Sequence, residues 1–227
     1  MTINKPVPST SLDTIIFDCD GTLSHIEGID ELAKENGVGE QVAQLTAAAM
    51  GSIGMSPELY QQRLDLVLPT AQQVTKLAQT YFDHKAPDLL HVIKTLQSLQ
   101  KNIYIVSAGL YPAVEGFGKL LNIPAENIFA VDVYFDDNGD YKDFDHNSPL
   151  THANGKRIIV QQIKQKHQNI AFVGDGLSDY EVYDMVTRFI GYGGAFYREN
   201  IKRLCQYYIT EPSMLRLLDC LSLTRRQ

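Results

Sequence analysis

Two aspartates separated by one residue, Asp18 and Asp20, directly follow the apolar segment 14–17. If the extended backbone continues beyond this segment, both carboxylates point to the same side, because side chains alternate along a strand. Two carboxylates held close together repel each other unless a proton or a cation lies between them. A hard ion that prefers oxygen ligands, such as Mg²⁺, relieves this repulsion. The pair therefore indicates a metal site at the end of a strand.

A second acidic pair, Asp175 and Asp179, occurs later in the chain. It lies in the glycine-rich segment 174–179, which follows the apolar run 170–173 and precedes a helical pattern. In a turn of this kind, both carboxylates can face the same cation. Taken alone, either acidic pair is also compatible with ordinary turn or helix-capping residues in contact with solvent.

Two further positions have the chemistry of anion binding. Ser107, Ala108 and Gly109 end another apolar run, where a hydroxyl group and free backbone amides can bind an anion. Lys156 begins a helical pattern and can neutralise phosphate or carboxylate charge. Singly, Ser107 is also compatible with a helix cap, and Lys156 with an exposed helix face. Taken together, the four signals favour one functional site. Along the chain they are an acid pair, a hydroxyl, a lysine and a second acid pair.

The elements that must position these residues alternate short apolar runs with helical patterns. The runs predicted to be buried strands are 14–17, 103–107, 128–131, 170–173, 189–191 and 207–209. The helical patterns between them are 87–100, 112–121, 155–166 and 178–185. This alternation predicts an α/β fold with a Rossmann-like parallel sheet and helices on both faces. Ligands bind at the carboxyl ends of such strands, so we expect the polar positions to meet at one edge.

The segment 26–82 interrupts the alternation of strands and helices. It contains the helical patterns 29–36, 41–50, 57–67 and 70–82, and no strand pattern. We therefore predict a helical cap domain inserted after the first strand. Its hinges are expected near 23–26 and 82–87, because a lid must move to admit substrate and exclude water.

A small β-hairpin is predicted at 134–144. Apolar residues flank Asn138-Gly139 there, and this dipeptide is the strongest short hairpin signal. The predicted domains are a discontinuous α/β core formed by 10–25 and 83–227, the cap at 26–82, and a flexible N-terminus at 1–9.

The composition excludes two broad classes of partner. The net charge of −7 argues against nucleic acid and against anionic membranes. No apolar run is suited to spanning a bilayer, and the first residues lack the apolar core of a secretory signal, so we expect a cytoplasmic protein.

Cys19, Cys205 and Cys220 are odd in number and lack metal-type spacing, which favours reduced thiols. The chain is expected to be a monomer or a homodimer.

The acid pair at 18–20, with its flanking residues, resembles the signature of the haloacid dehalogenase-like superfamily of phosphatases that use an aspartate nucleophile. That signature is an apolar strand followed by Asp-x-Asp-Gly/Ser-Thr, and residues 18–22 match it as DCDGT. Within the superfamily, the sequence resembles the phosphoserine phosphatases at 27–33 (EGIDELA), 49–51 (AMG) and 190–194 (IGYGG). The resemblance extends over nearly the whole chain.

The resemblance implies a Mg²⁺-dependent phosphomonoester hydrolase that passes through an aspartyl-phosphate. Asp18 is implied to be the nucleophile, and Asp20 the general acid and then the general base. The implied Mg²⁺ ligands are Asp18, the backbone carbonyl of Asp20 and Asp175, with Asp179 as a direct or an indirect partner. The implied phosphate-binding residues are Ser107, Ala108, Gly109 and Lys156. Lys156 is also implied to be catalytic, because it keeps Asp18 in its carboxylate form.

The resemblance also implies that the cap selects the substrate, a small phosphorylated metabolite of which O-phosphoserine is the best candidate. Glu27 is implied to bind its ammonium group and Arg63 its carboxylate, while Met50 packs over its carbon chain. Without the resemblance, ordinary roles are favoured: Glu27 at a helix start, Arg63 on a helix surface and Met50 in a core.

Two alternatives are open at the level of the sequence. The first is a phosphatase or phosphotransferase of the same superfamily that acts on another small phosphorylated metabolite. The second is a signalling module that accepts a phosphoryl group, since receiver domains also place acids, a hydroxyl residue and a lysine around Mg²⁺. The chain length, the acid at Asp20 and the predicted cap oppose the second alternative.

Overall fold

The structure, a computed structural model, describes residues 12–50 and 55–221, with the backbone alone at 48–50. Its strands are β1 (Thr14–Phe17), β2 (Asn102–Leu110), β3 (Ile128–Val131), β4 (Val133–Phe135), β5 (Tyr141–Phe144), β6 (Ile170–Gly174), β7 (Arg188–Tyr192) and β8 (Tyr207–Ile209). Its α-helices are α1 (Gly28–Glu35), α2 (Gly39–Met50), α3 (Pro57–Val67), α4 (Ala71–Asp83), α5 (Leu89–Ser98), α6 (Tyr111–Leu120), α7 (Gly155–Ile163), α8 (Leu177–Tyr180), α9 (Glu199–Leu204) and α10 (Arg216–Leu221).

A six-stranded sheet forms the centre of the fold, in the order β3-β2-β1-β6-β7-β8, and all its neighbouring strands are parallel. Every residue of β1, β6 and β7 is buried. Continuous burial is expected when helices cover both faces of a parallel sheet, because neither face contacts water. The predicted α/β fold is confirmed, including the helical insertion after β1 and the antiparallel hairpin of β4 and β5.

The predicted elements differ from the observed ones mainly in length. Strand β2 continues to Leu110, and its pairing with β3 shifts register between Val106 and Leu110. Ser107 and its two successors therefore lie in an irregular last section of the strand. The helix predicted at 178–185 is confined to Leu177–Tyr180, because the chain then tightens into turns with hydrogen bonds three residues apart, such as Met185 N to Val182 O.

Two helices of the insertion, α3 and α4, begin with side-chain capping interactions. Thr70 and Gln73 form a capping box at the start of α4. At the start of α3, the Ser56 hydroxyl accepts a hydrogen bond from the Leu59 amide, and Pro57 occupies the first helical position. These interactions satisfy backbone amides that have no partner inside a helix.

The two predicted hinge segments lie side by side. The Ala86 amide donates to the Leu23 carbonyl and the His25 amide to the His84 carbonyl, both at 2.9 Å. The hairpin also contacts the helical insertion, since the Ala71 amide donates to the Gly139 carbonyl at 2.8 Å. The division into core and cap stays a prediction, to which the paired hinge segments give support.

The three cysteines are unbridged thiols, and Cys19, in the loop after β1, is fully buried. Within the described ranges, no helix combines the length and the apolar character needed to cross a bilayer.

Candidate active site

Neighbouring strands bring the two acidic pairs together. Strands β1 and β6 are parallel and in register, with Phe17 opposite Val173. The Asp18 amide continues this pairing by donating to the Val173 carbonyl at 3.0 Å. Asp18 and Asp175 therefore leave adjacent strands at the same edge of the sheet, where the carboxyl ends of parallel strands meet.

Three carboxylates form an acidic cluster, defined as Asp18, Asp175 and Asp179. One oxygen from each lies within 4.8 Å of the others, and the three residues are 7%, 2% and 1% exposed. Lys156 Nζ lies 2.7 Å from Asp18 Oδ1 and 2.6 Å from Asp179 Oδ1. Arg198 donates to Asp175 Oδ2 at 2.9 Å. The cluster thus has one more acidic group than the two cations that contact it.

Burial and mutual repulsion dominate the electrostatics of the acidic cluster. Burial, followed by the charge of Asp179, raises the pKa of Asp18 well above its usual range. The same two causes raise the pKa of Asp175 to about 7, although Arg198 opposes them. Burial works against the charge of Lys156, but the carboxylates of Asp179 and Asp18 raise its pKa above its ordinary value. Lys156 is thus held as a cation.

The acidic cluster has the properties of a site for a hard divalent cation. Its donors are all oxygens, and a positive charge there would offset the repulsion that raises the pKa values. The backbone approaches the acids so closely that side chains are excluded: a β-carbon at Gly21 would lie 2.7 Å from Asp175 Oδ2. The donor set of the cluster therefore fits a hard divalent cation such as Mg²⁺.

Asp20 faces the helical insertion and is not part of the acidic cluster. Its Oδ1 accepts hydrogen bonds from the Gly28 amide at 2.6 Å and from the Tyr81 hydroxyl at 2.8 Å. Burial raises its pKa, and these two hydrogen bonds oppose the shift. Its predicted role as a metal ligand concerns the backbone carbonyl and stays a prediction.

The segment 107–109 lies beside Asp20. The Ser107 hydroxyl is fully buried, accepts from the Gly109 amide at 2.9 Å and lies 3.4 Å from Asp20 Oδ2. The Ala108 carbonyl accepts from the Tyr60 hydroxyl at 3.1 Å, which connects α3 to this segment. All three residues of the segment line the same cavity as the acids.

This cavity has a volume of about 340 Å³ and lies between the strand ends and the helices α1, α3 and α4. Glu27 and Arg63 line its side away from the sheet. Glu27 Oε1 and Arg63 Nε are buried and have no hydrogen-bond partner among the described residues. Burying polar atoms of charged groups without partners is unfavourable, so both atoms indicate ligand-binding positions.

The surroundings of Glu27 and Arg63 reinforce this interpretation. Burial, and next the charge of Asp20, raises the pKa of Glu27, while burial lowers the pKa of Arg63. Arg63 Cζ lies 5.5 Å from the centroid of the Tyr60 ring, and Arg63 Nη2 donates to Met55 Sδ at 3.4 Å. The third predicted cap residue, Met50, has a side chain outside the described residues.

Residues 12–182 match the model of the haloacid dehalogenase-like hydrolase family. The chain belongs to the haloacid dehalogenase-like hydrolases. It is 36% identical to the phosphoserine phosphatase of Bos taurus and 35% identical to that of Homo sapiens. Each match extends over 203 residues, which is 88% of this chain and 90% of the relative.

Solved structures of phosphoserine phosphatases have the same fold. A substrate-bound phosphoserine phosphatase complex matches with a TM-score of 0.81 at 23% identity, over 93% of this chain and 99% of that one. A phospho-aspartyl intermediate analogue of phosphoserine phosphatase matches with a TM-score of 0.80 at 23% identity, over 94% and 100% of the two chains.

The comparisons confirm the predicted enzyme class. The chain is a haloacid dehalogenase-like phosphatase of the phosphoserine phosphatase type, and its relatives imply a small phosphorylated substrate. This result excludes the signalling module as an alternative. The roles assigned to individual residues of this haloacid dehalogenase-like hydrolase, including Asp18 and Asp20, stay predictions.

Sequence reasoning missed two residues of the site in this haloacid dehalogenase-like hydrolase. Arg198 follows β7 by six residues and returns to Asp175. A basic residue soon after a parallel strand is a weak signal, which the surrounding aromatic residues obscure. Tyr81 lies in the last turn of α4 and reaches Asp20 across 61 positions of the chain. No sequence spacing indicates that contact.

Proposed function

We propose that this phosphatase hydrolyses O-phosphoserine to serine and inorganic phosphate. The observation that carries the proposal is the pair of unpartnered buried atoms, Glu27 Oε1 and Arg63 Nε, on the cap side of the cavity. No ion pair within 4 Å joins the two side chains in the described part of the chain. Each is therefore available to a charged group of a ligand.

Phosphoserine has the charges that this cavity requires. Its ammonium group would pair with Glu27 and its carboxylate with Arg63, while the phosphate lies against 107–109 and Lys156. Arginine suits a carboxylate because its planar guanidinium can donate two parallel hydrogen bonds. A cavity of about 340 Å³ suits a small metabolite of this kind.

The proposed reaction has two steps at one phosphorus atom. In the first, a carboxylate oxygen of Asp18 forms a bond to phosphorus as the bond from phosphorus to the serine oxygen breaks. Asp20 gives its proton to that leaving oxygen. In the second, a water oxygen attacks phosphorus, one water proton passes to Asp20, and the Asp18 carboxylate leaves. The step releases phosphate and regenerates both aspartates.

The remaining residues of the site hold charges in place. Lys156 orients Asp18 and, with Ser107 and Gly109, binds phosphoryl oxygens. The residues that would hold Mg²⁺ are Asp18, Asp175 and the Asp20 carbonyl. Asp179 would support them as a direct or an indirect partner, and its two oxygens also accept hydrogen bonds from Lys156 and from the Gly176 amide. When bound, Mg²⁺ would supply a positive charge that stabilises the transferring phosphoryl group.

The core of 10–25 and 83–227 and the cap of 26–82 are proposed to close around this substrate. Hinge motion at 23–26 and 82–87 would admit phosphoserine and then exclude bulk water. The chain is proposed to work as a monomer or a homodimer.

A substrate panel tests the proposal. Mg²⁺-dependent phosphate release would be measured with phosphoserine, phosphothreonine, sugar phosphates, nucleotides and p-nitrophenyl phosphate, and phosphoserine should give the highest kcat/KM. Arg63→Ala and Glu27→Ala should each lower kcat/KM for phosphoserine by about 100-fold. Each change leaves one charged group of the bound substrate, its carboxylate or its ammonium, buried without its partner. Both should change kcat/KM for p-nitrophenyl phosphate by less than about threefold, since that ester lacks the two groups.

Arg203→Ala is the matched control for Arg63→Ala. Arg203 is exposed and pairs with Glu199, away from the cavity, so its removal should leave both substrates unaffected. Equal losses for phosphoserine and the aryl phosphate in the Arg63 and Glu27 variants would show that these residues do not recognise an amino acid.

A further inference from the structure

We propose that Tyr81 is a positioning residue for the phosphatase reaction, and that its hydroxyl fixes the Asp20 carboxyl group with Oδ2 facing the bound phosphate ester. This inference rests on the proposed function, in which Asp20 exchanges protons with the leaving group and with water. It adds a residue of α4 to a reaction otherwise assigned to Asp20 and the strand ends.

The two oxygens of Asp20 have different surroundings. Oδ1 accepts from the Tyr81 hydroxyl at 2.8 Å and from the Gly28 amide at 2.6 Å, both from the helical insertion. Two donors occupy the two lone pairs that a carboxylate oxygen offers in its plane. Both lone pairs of Oδ1 are therefore used in hydrogen bonds to the helical insertion.

The second oxygen of Asp20 points toward the predicted phosphate site. Oδ2 lies 3.4 Å from the Ser107 hydroxyl, and a β-carbon at Gly109 would lie 3.1 Å from it. Both residues line the cavity, as Asp20 does. Oδ2 is therefore the oxygen placed to meet the leaving group and the attacking water.

Tyr81 itself is held rigidly. It is 1% exposed, and its ring stacks on Phe117 with centroids 5.7 Å apart. Its backbone carbonyl accepts from the Ser24 hydroxyl at 2.9 Å, which ties it to the hinge. The absence of a side chain at Gly28 makes room for it, since a β-carbon there would lie 2.0 Å from the Tyr81 oxygen. A fixed hydroxyl can fix the carboxylate that it binds.

The test compares Tyr81→Phe with Tyr104→Phe. The first change removes the hydroxyl from Asp20 and keeps the ring. The second removes a hydroxyl that bonds to His167 Nε2 at 2.9 Å, away from the cavity. With phosphoserine, Tyr81→Phe should lower kcat between about 10-fold and 100-fold, a part of what general acid–base catalysis supplies, with KM within about twofold. Tyr104→Phe should leave both constants unchanged.

A rapid-mixing experiment with p-nitrophenyl phosphate separates positioning from a general structural effect. Nitrophenolate leaves without being protonated, so the transfer of the phosphoryl group to Asp18 should hardly depend on Tyr81. The hydrolysis of the aspartyl-phosphate still needs Asp20 as a base. Tyr81→Phe should therefore give a burst approaching one equivalent of nitrophenol per active site, larger than in the wild type, followed by slow turnover.

Each outcome decides the question when Asp20→Asn is measured alongside. If Asp20→Asn is inactive but Tyr81→Phe keeps the wild-type kcat, the role of Tyr81 is overturned and the proposed reaction is not. Tyr81→Phe would also fail as a positioning variant if KM rose at constant kcat, or if the burst and the steady state slowed equally. Asp20→Asn with wild-type turnover would overturn the proposed reaction itself, and the role of Tyr81 with it.

Discussion

At the centre of the site, side chains of opposite charge contact each other, and Lys156 lies between two of the acids. It is 5% exposed and contacts Asp18 and Asp179 at 2.7 Å and 2.6 Å. Burial and the charge of Asp179 raise the pKa of Asp18 well above its usual range, and the adjacent ammonium of Lys156 opposes this rise. Lys156 thus favours the charged carboxylate that the proposed reaction needs. The same lysine thus contacts both the proposed nucleophile and the proposed metal site.

The nucleophile assignment predicts the behaviour of Asp18→Asn. The variant should fold, because the amide has nearly the shape of the carboxylate and removes one charge from a crowded cluster. Its kcat for phosphoserine should fall by more than about 1000-fold, since an amide cannot form the aspartyl-phosphate. Circular dichroism and steady-state kinetics measure both effects.

Asp184→Asn is the control for Asp18→Asn. Asp184 pairs with Arg157 at the surface, so its substitution should leave kcat unchanged. A folded Asp18→Asn protein with near wild-type turnover would overturn the assignment of the nucleophile.

At the scale of elements, α1 and α4 meet at a position that tolerates no side chain. Gly28 is the first residue of α1, and a β-carbon there would overlap the Tyr81 hydroxyl of α4. The close approach brings the Gly28 amide and the Tyr81 hydroxyl to the same oxygen of Asp20. The packing of two helices therefore decides the orientation of a carboxyl group that belongs to the loop after β1.

Gly28→Ala should disturb this packing. Tyr81 must move aside, so the free energy of unfolding should fall by about 1–3 kcal/mol, the usual cost of overpacking. The kcat should fall as well, because Asp20 loses its fixed orientation. Urea unfolding and steady-state kinetics measure the two effects.

Gly39→Ala makes the same change at the first residue of α2. A β-carbon there would lie 3.3 Å from the flexible Lys34 side chain, which can move away. This control should unfold within about 0.5 kcal/mol of the wild type. Equal effects of the two substitutions would show that the contact with Tyr81 has no special importance.

For the whole molecule, a metal ion bound at the acidic cluster would change the free energy of unfolding. The pKa of Asp175 is raised to about 7, whereas an aspartate in an unfolded chain has a pKa of about 3.9. Without metal, and between about pH 4 and pH 7, Asp175 therefore holds a proton in the folded state that it releases in the unfolded chain. This contribution to stability is present below about pH 4 and is lost as the pH rises toward 7.

Mg²⁺ should reverse this loss, because it competes with the proton for the same carboxylates. The melting temperature should rise on adding Mg²⁺ by a larger amount at pH 8 than at pH 5. Saturation at 100 times the dissociation constant adds about 2.7 kcal/mol. Thermal melts with Mg²⁺ or with EDTA measure the difference.

Asp175→Asn should largely remove the effect of Mg²⁺ on the melting temperature, whereas Asp184→Asn should keep it. An effect of Mg²⁺ that is the same at pH 5 and pH 8, or that survives in Asp175→Asn, would contradict the metal site at the acidic cluster.

The local sequence determined the elements and the strand-end residues of this protein. Apolar runs and turn signals within a few residues predicted β1, β3 and β8 with their observed bounds, and the ends of parallel strands must share one edge of the sheet. That is why the acids at 18 and 175, from distant parts of the sequence, were expected in one site. The family signature at 18–22 then indicated the chemistry.

The tertiary structure alone decided which groups complete the site. The contact of Arg198 with Asp175 and the contact of Tyr81 with Asp20 depend on how helices and loops pack. So does the lack of a hydrogen-bond partner for two atoms, Glu27 Oε1 and Arg63 Nε, among the described residues. Periodicity reports which face of an element is buried, but it contains no information about the neighbour across the interface. Hydrogen bonds need atoms placed to within a few tenths of an ångström, and packing between distant segments sets that placement.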